Sequence, residues 1–255
     1  MSTSLELTYR YLRLGVALMV AVIFASVAVA AASVGWLPSI SDYYYSPART
    51  SFTGALIGVS LALFALSGRG LERALLDAAA LFAPLIALIP TTGPQCLPRC
   101  LPSAYEADVA NGVATYLIVG ALALVTAAAL AAFGQISWRA LAPTGALAVA
   151  VLIALALFWV FARDAVLASG HVVVTVVFFG LFAAVALRGA VTASAFRVPY
   201  AVVAGLLVIV LAGYLVFFPS GVLIAEAAAL VLFAAFWIVQ SIEKWGQSDP
   251  SLLPR

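Results

Sequence analysis

The sequence has few charged residues and few of the side chains that usually bind metals or phosphate. Only 9% of its 255 residues are charged, against about 25% in an ordinary soluble domain. The net charge is +2, and the basic residues do not form a cluster in the sequence. We therefore expect no nucleic acid partner and no polybasic tail that binds anionic lipids.

The scarcity of lysine, histidine and cysteine removes several classes of membrane protein. The single lysine, Lys244, follows the last apolar run, so it cannot form a retinal Schiff base inside a helical bundle. The single histidine, His171, cannot supply a bis-histidine haem or a three-ligand His/Cys zinc site, since the apolar runs contain no cysteine. We therefore predict no metal site and no cofactor.

Long apolar runs are abundant. Apolar residues make up 66% of the chain, and runs of the roughly 20 residues needed to cross a bilayer recur along its length. They predict an all-α fold, a polytopic transmembrane bundle of about eight helices in a single domain over residues 1–255. The predicted helices span 14–35, 48–67, 71–89, 110–133, 141–161, 168–187, 199–218 and 221–241. The first run is too long for a secretory signal peptide, so we expect it to be retained.

The basic residues predict the orientation. If the N-terminus is cytoplasmic, nine basic residues lie inside and three outside. The inner set is Arg10, Arg13, Arg69, Arg73, Arg139, Arg188, Arg197, Lys244 and Arg255, and the outer set is Arg49, Arg99 and Arg163. This asymmetry predicts an N-in, C-in protein with an even number of helices, placed in the cytoplasmic membrane of the cell.

Both cysteines, Cys96 and Cys100, fall in the predicted outer loop between the third and fourth helices. Their spacing allows a disulfide in an oxidising compartment. A redox-active or metal-binding pair is the alternative, but the two-residue spacing of thioredoxin-like motifs and a nearby histidine are both missing.

Ionisable and polar groups near the membrane gather on the predicted outer side, where each needs a partner. The candidate ligand-binding residues are Asp42, Tyr45, Arg49, Asn111, His171 and Glu226. Glu226 lies about six residues inside its helix, or roughly 9 Å below the outer boundary, and shares a helical face with Trp237 and Gln240. We expect it to point inward, either paired or protonated. A structural polar network is the alternative to a ligand-binding or catalytic pocket.

Several local pairings are also predicted. Arg49 lies in a first helical turn, so we expect a counter-charge such as Asp42 or Glu226, or a snorkelling interfacial arginine. The three tyrosines 43–45 suit an aromatic belt, with ligand contact as the alternative. Asp77 follows Arg73 by one turn and should pair with it. A GxxxG motif at Gly54 and Gly58 permits close helix packing, within the chain or between chains.

The first outer loop carries a family resemblance. Ser39-Ile40-Ser41, followed by Tyr43-Tyr44-Tyr45, Arg49 and Gly54, resembles a motif of uncharacterised bacterial multi-pass membrane proteins, and the likeness extends to Pro90-Thr91, His171, Glu226 and Trp237. Such families are likened to the ceramidase and progestin-receptor-like group, whose metal site uses three histidines. This chain has His171 alone, so the resemblance does not imply metal-dependent hydrolysis.

Three functions are compatible with these features. The first is binding of a lipid or small apolar molecule in an outer cavity lined by Asp42, Arg49, His171 and Glu226. The second is a structural or accessory role, in which the helices dock a membrane protein partner or a second copy of the chain. The third is an outer-face hydrolase or lipid-modifying enzyme with His171 and a carboxylate as acid and base.

Overall fold

The computed structural model describes residues 4–66, 70–93, 101–193, 195–217 and 221–246. These residues form eight long helices and two short 3₁₀ helices, Ser41–Tyr45 and Ser103–Tyr105, with no strand among them. The long helices are α1 (Ser4–Val34), α2 (Arg49–Leu66), α3 (Gly70–Leu88), α4 (Glu106–Ala132), α5 (Trp138–Phe161), α6 (Arg163–Thr192), α7 (Arg197–Phe217) and α8 (Val222–Glu243). The predicted all-α bundle is confirmed.

The eight predicted spans coincide with these helices, and the main differences are at helix ends. The first helix begins at Ser4 rather than residue 14, and α6 extends five residues beyond its predicted span at each end. The reason is physical: apolar runs mark the part of a helix inside hydrocarbon, whereas a helix continues through polar turns outside it.

Large apolar side chains are exposed on the outside of the bundle. Examples include Leu61 on α2, Leu122 on α4 and Ile224 on α8, which is 75% exposed. Seven of the long helices in the described ranges are long and apolar enough to cross a membrane. A soluble protein rarely exposes so much contiguous apolar surface. The chain is an integral, multi-pass membrane protein.

The remaining long helix, α3, lies at the centre of the bundle. It packs against α2 and α6 along its length and also contacts α4 and α5. Its first two turns carry Glu72, Arg73 and Asp77, which explains why it is less apolar than the others. Most of helix α3 after Leu75 is covered by protein rather than lipid, while Glu72 and Arg73 stay partly exposed at its start. Asp77, for example, is 3% exposed, accepts a hydrogen bond from Thr144 (2.6 Å), and pairs with Arg73 as predicted.

Pro84 leaves a carbonyl of α3 without its usual helical partner. Proline has no backbone N–H, so the carbonyl of Ala80, four residues earlier, loses its intrahelical hydrogen bond. The hydroxyl of Ser60 on α2 donates to that carbonyl at 2.7 Å. A freed polar group inside a membrane must find such a partner, so Ser60 ties α2 to the centre of α3.

The GxxxG motif does not bring two helix backbones together inside the chain. Gly58 faces the sulfur of Met19 on α1, at 3.6 Å from the position of a Cβ, while Gly54 is exposed with nothing within 4 Å. Close packing occurs instead between α6 and α7, where a Cβ built on Gly189 of α6 would lie 2.9 Å from the ring of Tyr200 on α7.

Both chain ends lie at one end of the bundle, which we call the terminal end. The guanidinium of Arg13, 3% exposed, donates to the carbonyl of Lys244 at 2.9 Å, and the ammonium of Lys244 lies 3.1 Å from Glu72 at the start of α3. At the same end Tyr200, near the start of α7, donates to Glu243 at 2.5 Å. Helices α1 and α8 therefore start at opposite ends, as an even number of crossings requires.

We call the opposite end, which carries the loop between α1 and α2, the loop end. The starts of α2, α4, α6 and α8 and the end of α3 meet there. The described basic residues divide as the sequence predicts: Arg49 and Arg163 lie at the loop end, and the others lie at the terminal end. Which end faces the cytoplasm stays a prediction.

Candidate functional site

The loop between α1 and α2 folds back into the bundle instead of lying in the membrane interface. Tyr43 is fully buried, and Tyr44 and Asp42 are 3% and 6% exposed. The hydroxyl of Tyr43 donates to the carbonyl of Gly35 (3.1 Å), and the hydroxyl of Tyr45 donates to the carbonyl of Thr91 (2.5 Å). The prediction of an aromatic belt is therefore wrong for Tyr43 and Tyr44, because both rings are buried inside the bundle.

Glu226 on α8 is the principal anchor of this loop. Its Oε2 accepts hydrogen bonds from the backbone N–H groups of Ile40 (2.6 Å) and Ser41 (3.1 Å). Its Oε1 lies 2.7 Å from the hydroxyl oxygen of Ser41. A third link joins the same elements, since the N–H of Leu223 donates to the carbonyl of Pro38 at 3.1 Å. The inward, paired position that its depth predicts is the one observed.

His171, in the third turn of α6, joins the same loop to the end of α3. It is 5% exposed. Its Nε2 lies 2.8 Å from the hydroxyl oxygen of Ser41, and its Nδ1 lies 2.8 Å from the carbonyl oxygen of Ile89. Ser41 thus stands between His171 and Glu226. We call these three side chains, with the backbone groups they bind, the loop-end network.

Arg49 does not join the loop-end network, and the predicted partners Asp42 and Glu226 are wrong. Its guanidinium pairs with Asp108 at the start of α4 (2.8 Å) and donates to the hydroxyl of Tyr44 (2.9 Å). It also lies 4.5 Å from the centroid of the Tyr44 ring. Glu226 is engaged by the loop backbone instead, and α4 approaches α2 closely enough to supply the counter-charge.

Asn111 also lies outside the network. It is exposed, whereas Val109, Gly112 and Val113 form the buried face of α4. The sequence placed Asn111 near the right end of the bundle but could not give the rotation of α4 about its axis. Cys96 and Cys100 fall outside the described residues, so their predicted disulfide stays a prediction.

Tyr44 and Tyr45 remain neutral at physiological pH. Burial raises the pKa of Tyr44 and the pKa of Tyr45 above the ordinary value of 10, although the nearby guanidinium of Arg49 opposes the increase. The hydroxyl group of Tyr44 therefore accepts a hydrogen bond from Arg49. The hydroxyl group of Tyr45 donates one to the carbonyl of Thr91.

The space directly under the network is small. A cavity of about 50 Å³ touches Ser41, Thr175 and Glu226 and is otherwise walled by apolar side chains of α1, α2, α3, α6 and α8. The hydroxyl oxygen of Thr175 is buried there without a hydrogen-bond partner. Ligand pockets usually measure about 300–1,000 Å³, so this cavity suits a few waters rather than a lipid.

A larger groove lies beside the network, on the lipid-facing side of α7 and α8. Its volume is about 390 Å³, and it is lined by Val210, Gly213, Tyr214, Gly221, Val222, Ile224, Ala225 and Ala228. A narrow pocket of about 20 Å³ shares Val210, Tyr214 and Ala225 with the groove and reaches Glu226. The structure thus places an open apolar groove immediately behind the residue that anchors the loop.

The metal-binding potential of the site is limited by its donors. Within the described ranges, no three His, Cys, Asp or Glu side chains come together in a group that could hold a metal ion.

No family model, curated protein or solved structure matches the chain. The resemblance of the first loop to an uncharacterised bacterial family stays a prediction.

Sequence reasoning missed the central member of the network. Ser41 was part of the resembling motif but not a candidate residue, because a serine in a loop carries no special signal. The backbone groups of Ile40 and Ile89 were missed for a simpler reason: every residue has them, and only the fold shows which ones face Glu226 and His171.

Proposed function

We propose that the protein binds a membrane lipid, or a similar apolar ligand, in the groove between α7 and α8 at the loop end. The observation that carries this proposal is the groove itself, whose volume of about 390 Å³ lies within the usual range of ligand pockets. Its walls are almost entirely apolar, and it opens toward the side of the bundle that the bilayer covers. An acyl chain of a neighbouring lipid is the occupant that this environment supplies.

The proposed ligand site is separate from the polar residues that the sequence indicates as a site. His171 and Glu226 lie behind the groove and bind the loop, and the cavity that Glu226 touches holds about 50 Å³. Only Glu226 reaches the groove, through the narrow pocket beside Tyr214. Affinity should therefore come from apolar contact, with Tyr214 as the most polar side chain on the wall.

A filling substitution tests the proposal. Gly213 lies on the groove, and a Cβ built there meets nothing within 4 Å, so Gly213→Leu should fit without strain and occupy the space. Gly205, two turns earlier on α7, is exposed and equally open but lies outside the groove. Gly205→Leu is therefore a matched control for adding the same side chain to the same helix.

The measurement is native mass spectrometry of the full-length protein after gentle purification from membranes. We expect bound lipid mass on the wild type and on Gly205→Leu, and much less on Gly213→Leu. Retention of the same lipid by Gly213→Leu would contradict binding in this groove. Bare wild-type protein would contradict the proposal as a whole.

An accessory role is the second candidate, and the completeness of the loop-end network favours it. The carboxylate of Glu226 and the ring nitrogens of His171 are all engaged within the chain. Such a network can serve to hold helices together. Bare masses for all three proteins, together with co-purification of a defined membrane protein, would support this function.

A further inference from the structure

The loop-end network forms an unbroken chain of hydrogen-bonding atoms. In order, it runs from the carbonyl oxygen of Ile89 to Nδ1 of His171 (2.8 Å), from Nε2 of His171 to Oγ of Ser41 (2.8 Å), and from Oγ to Oε1 of Glu226 (2.7 Å). The far oxygen of Glu226 accepts from two backbone N–H groups. The three contacts from Ile89 to Oε1 of Glu226 all lie at ordinary hydrogen-bond distance.

The number of protons in this chain follows from its donors and acceptors. A carbonyl oxygen can only accept, so Nδ1 of His171 must carry a proton. The hydroxyl of Ser41 has one proton but makes two contacts, so it can donate to His171 or to Glu226 but not to both. The other contact needs a proton on its partner, either on the carboxyl of Glu226 or on Nε2 of His171.

We propose that His171, Ser41 and Glu226 form a proton-binding site that holds one proton shared between the carboxyl group and the imidazole. In one arrangement the protonated Glu226 donates to Ser41, which donates to a neutral His171. In the other, a doubly protonated His171 donates to Ser41, which donates to an ionised Glu226. The two arrangements interconvert when the Glu226 proton moves to Ser41 and the Ser41 proton moves to His171, and their total charge is the same.

The surroundings favour retention of this proton. Ser41 and His171 are 6% and 5% exposed, and apolar side chains wall the cavity below them. The titratable side chains near the site in the described part of the chain are Asp42 and Tyr45 on the loop and Tyr214 on α7. None of these is a cation.

The two loop-end cations in the described ranges have other carboxylate partners, since Arg49 pairs with Asp108 and Arg163 lies 4.0 Å from Glu106. Loss of the shared proton would leave a net negative charge that no cation among the described residues pairs with. It would also leave one of the two contacts of Ser41 without a hydrogen.

Proton release should therefore weaken the attachment of the first loop to α6 and α8. The site would act as a pH-sensitive link between the loop and the two helices. This inference does not depend on lipid binding, since each of its observations lies in the network and not in the groove.

The proton can be located directly in the full-length wild-type protein. Because His171 is the only histidine, its ring nitrogens give the only histidine signals in ¹⁵N NMR of protein labelled at histidine. Infrared spectroscopy detects the carbonyl stretch of a protonated carboxyl group, and comparison with Glu226→Gln assigns the band. We expect at pH 7 either a neutral Nδ1–H imidazole with a protonated Glu226, or an imidazolium with an ionised Glu226. A neutral imidazole together with an ionised Glu226, or an Nε2–H tautomer, would overturn the proposal.

The pH dependence of stability provides a second test. Above about pH 6.5 the unfolded chain has a neutral histidine and an ionised glutamate, so it holds no proton at this pair, whereas the folded site holds one. Stability should therefore be greatest between about pH 4.3 and pH 6.5. Above that range it should decrease as pH rises, by up to tenfold in the unfolding equilibrium constant per unit.

A matched pair of variants isolates this dependence. Glu226→Gln should lose it, because the amide donates to Ser41 at every pH. Glu243→Gln removes a carboxylate at the terminal end, bonded to Tyr200, and should keep it. Thermal unfolding in detergent between pH 6 and pH 9 measures all three proteins, and an identical decrease in all three would contradict a shared proton at Glu226.

Discussion

Replacing Glu226 with alanine should leave two backbone N–H groups of the first loop without a hydrogen-bond acceptor. In the wild type, the N–H groups of Ile40 and Ser41 both donate to Oε2 of Glu226, and Ile40 is 3% exposed. An alanine at this position offers no acceptor. The hydroxyl of Ser41 keeps its contact with His171, so two donors lose their partner.

The expected cost follows from these two donors. A buried donor without a partner costs about 1–3 kcal/mol, so Glu226→Ala should lower the free energy of unfolding by about 2–6 kcal/mol. Water that enters from the adjoining cavity of about 50 Å³ would bring the loss toward the lower figure. Glu226→Gln keeps an acceptor for both N–H groups and a donor for Ser41, so it should lie within about 1 kcal/mol of the wild type at pH 7.

The assay is reversible unfolding in mixed micelles, followed by helix content as the denaturing detergent increases. The comparison that decides is alanine against glutamine, because both remove the ionisable carboxyl group and only alanine removes the hydrogen-bond acceptor. If the two variants differ by less than about 0.5 kcal/mol, Glu226 does not hold the loop through these hydrogen bonds, and the anchoring argument fails.

Two further predictions concern contacts between helices. Ser60→Ala should cost about 1–3 kcal/mol by leaving the carbonyl of Ala80 unpaired, and less in a Pro84→Ala background, where alanine restores the helical N–H. Denaturation of the four proteins measures this coupling, and equal losses in both backgrounds would contradict it. Gly189→Ala should cost about 1–3 kcal/mol because its Cβ would meet the Tyr200 ring, whereas Gly180→Ala, with open space around it, should be neutral or stabilising by up to about 1 kcal/mol. Equal thermal stability of these two variants would show that the ring moves aside without cost.

The helices could be predicted from the sequence because the bilayer imposes a length on each apolar run. Even α3, which carries Glu72, Arg73 and Asp77, was found from its apolar remainder. Its central position was not predicted, since burial by protein and burial by lipid select similar residues. The charges at its start were the available sign that other helices surround it.

The site could be predicted only in part, for reasons that differ between residues. The depth of Glu226 required a partner, and the structure supplies one. The position of Asn111 near the same end gave no information about which way it faces. Arg49 needed a counter-charge, but the choice between Asp42, Asp108 and Glu226 depends on how the helices are arranged. The groove is lined by glycine, alanine, valine and isoleucine side chains with one tyrosine, and these apolar residue types are common throughout the chain.

The loop-end network explains why polar residues occur in otherwise apolar helices. Irregular backbone is tolerated at membrane depth only where protein satisfies its N–H and C=O groups. Glu226 does this for the N–H groups of Ile40 and Ser41, and His171 does it for the carbonyl of Ile89 at the end of α3. The polar atoms of the network are therefore largely used by the chain itself. Under the proposed lipid-binding function, selectivity would come from the α7–α8 groove, while the network sets the position of α8, which forms one wall of that groove.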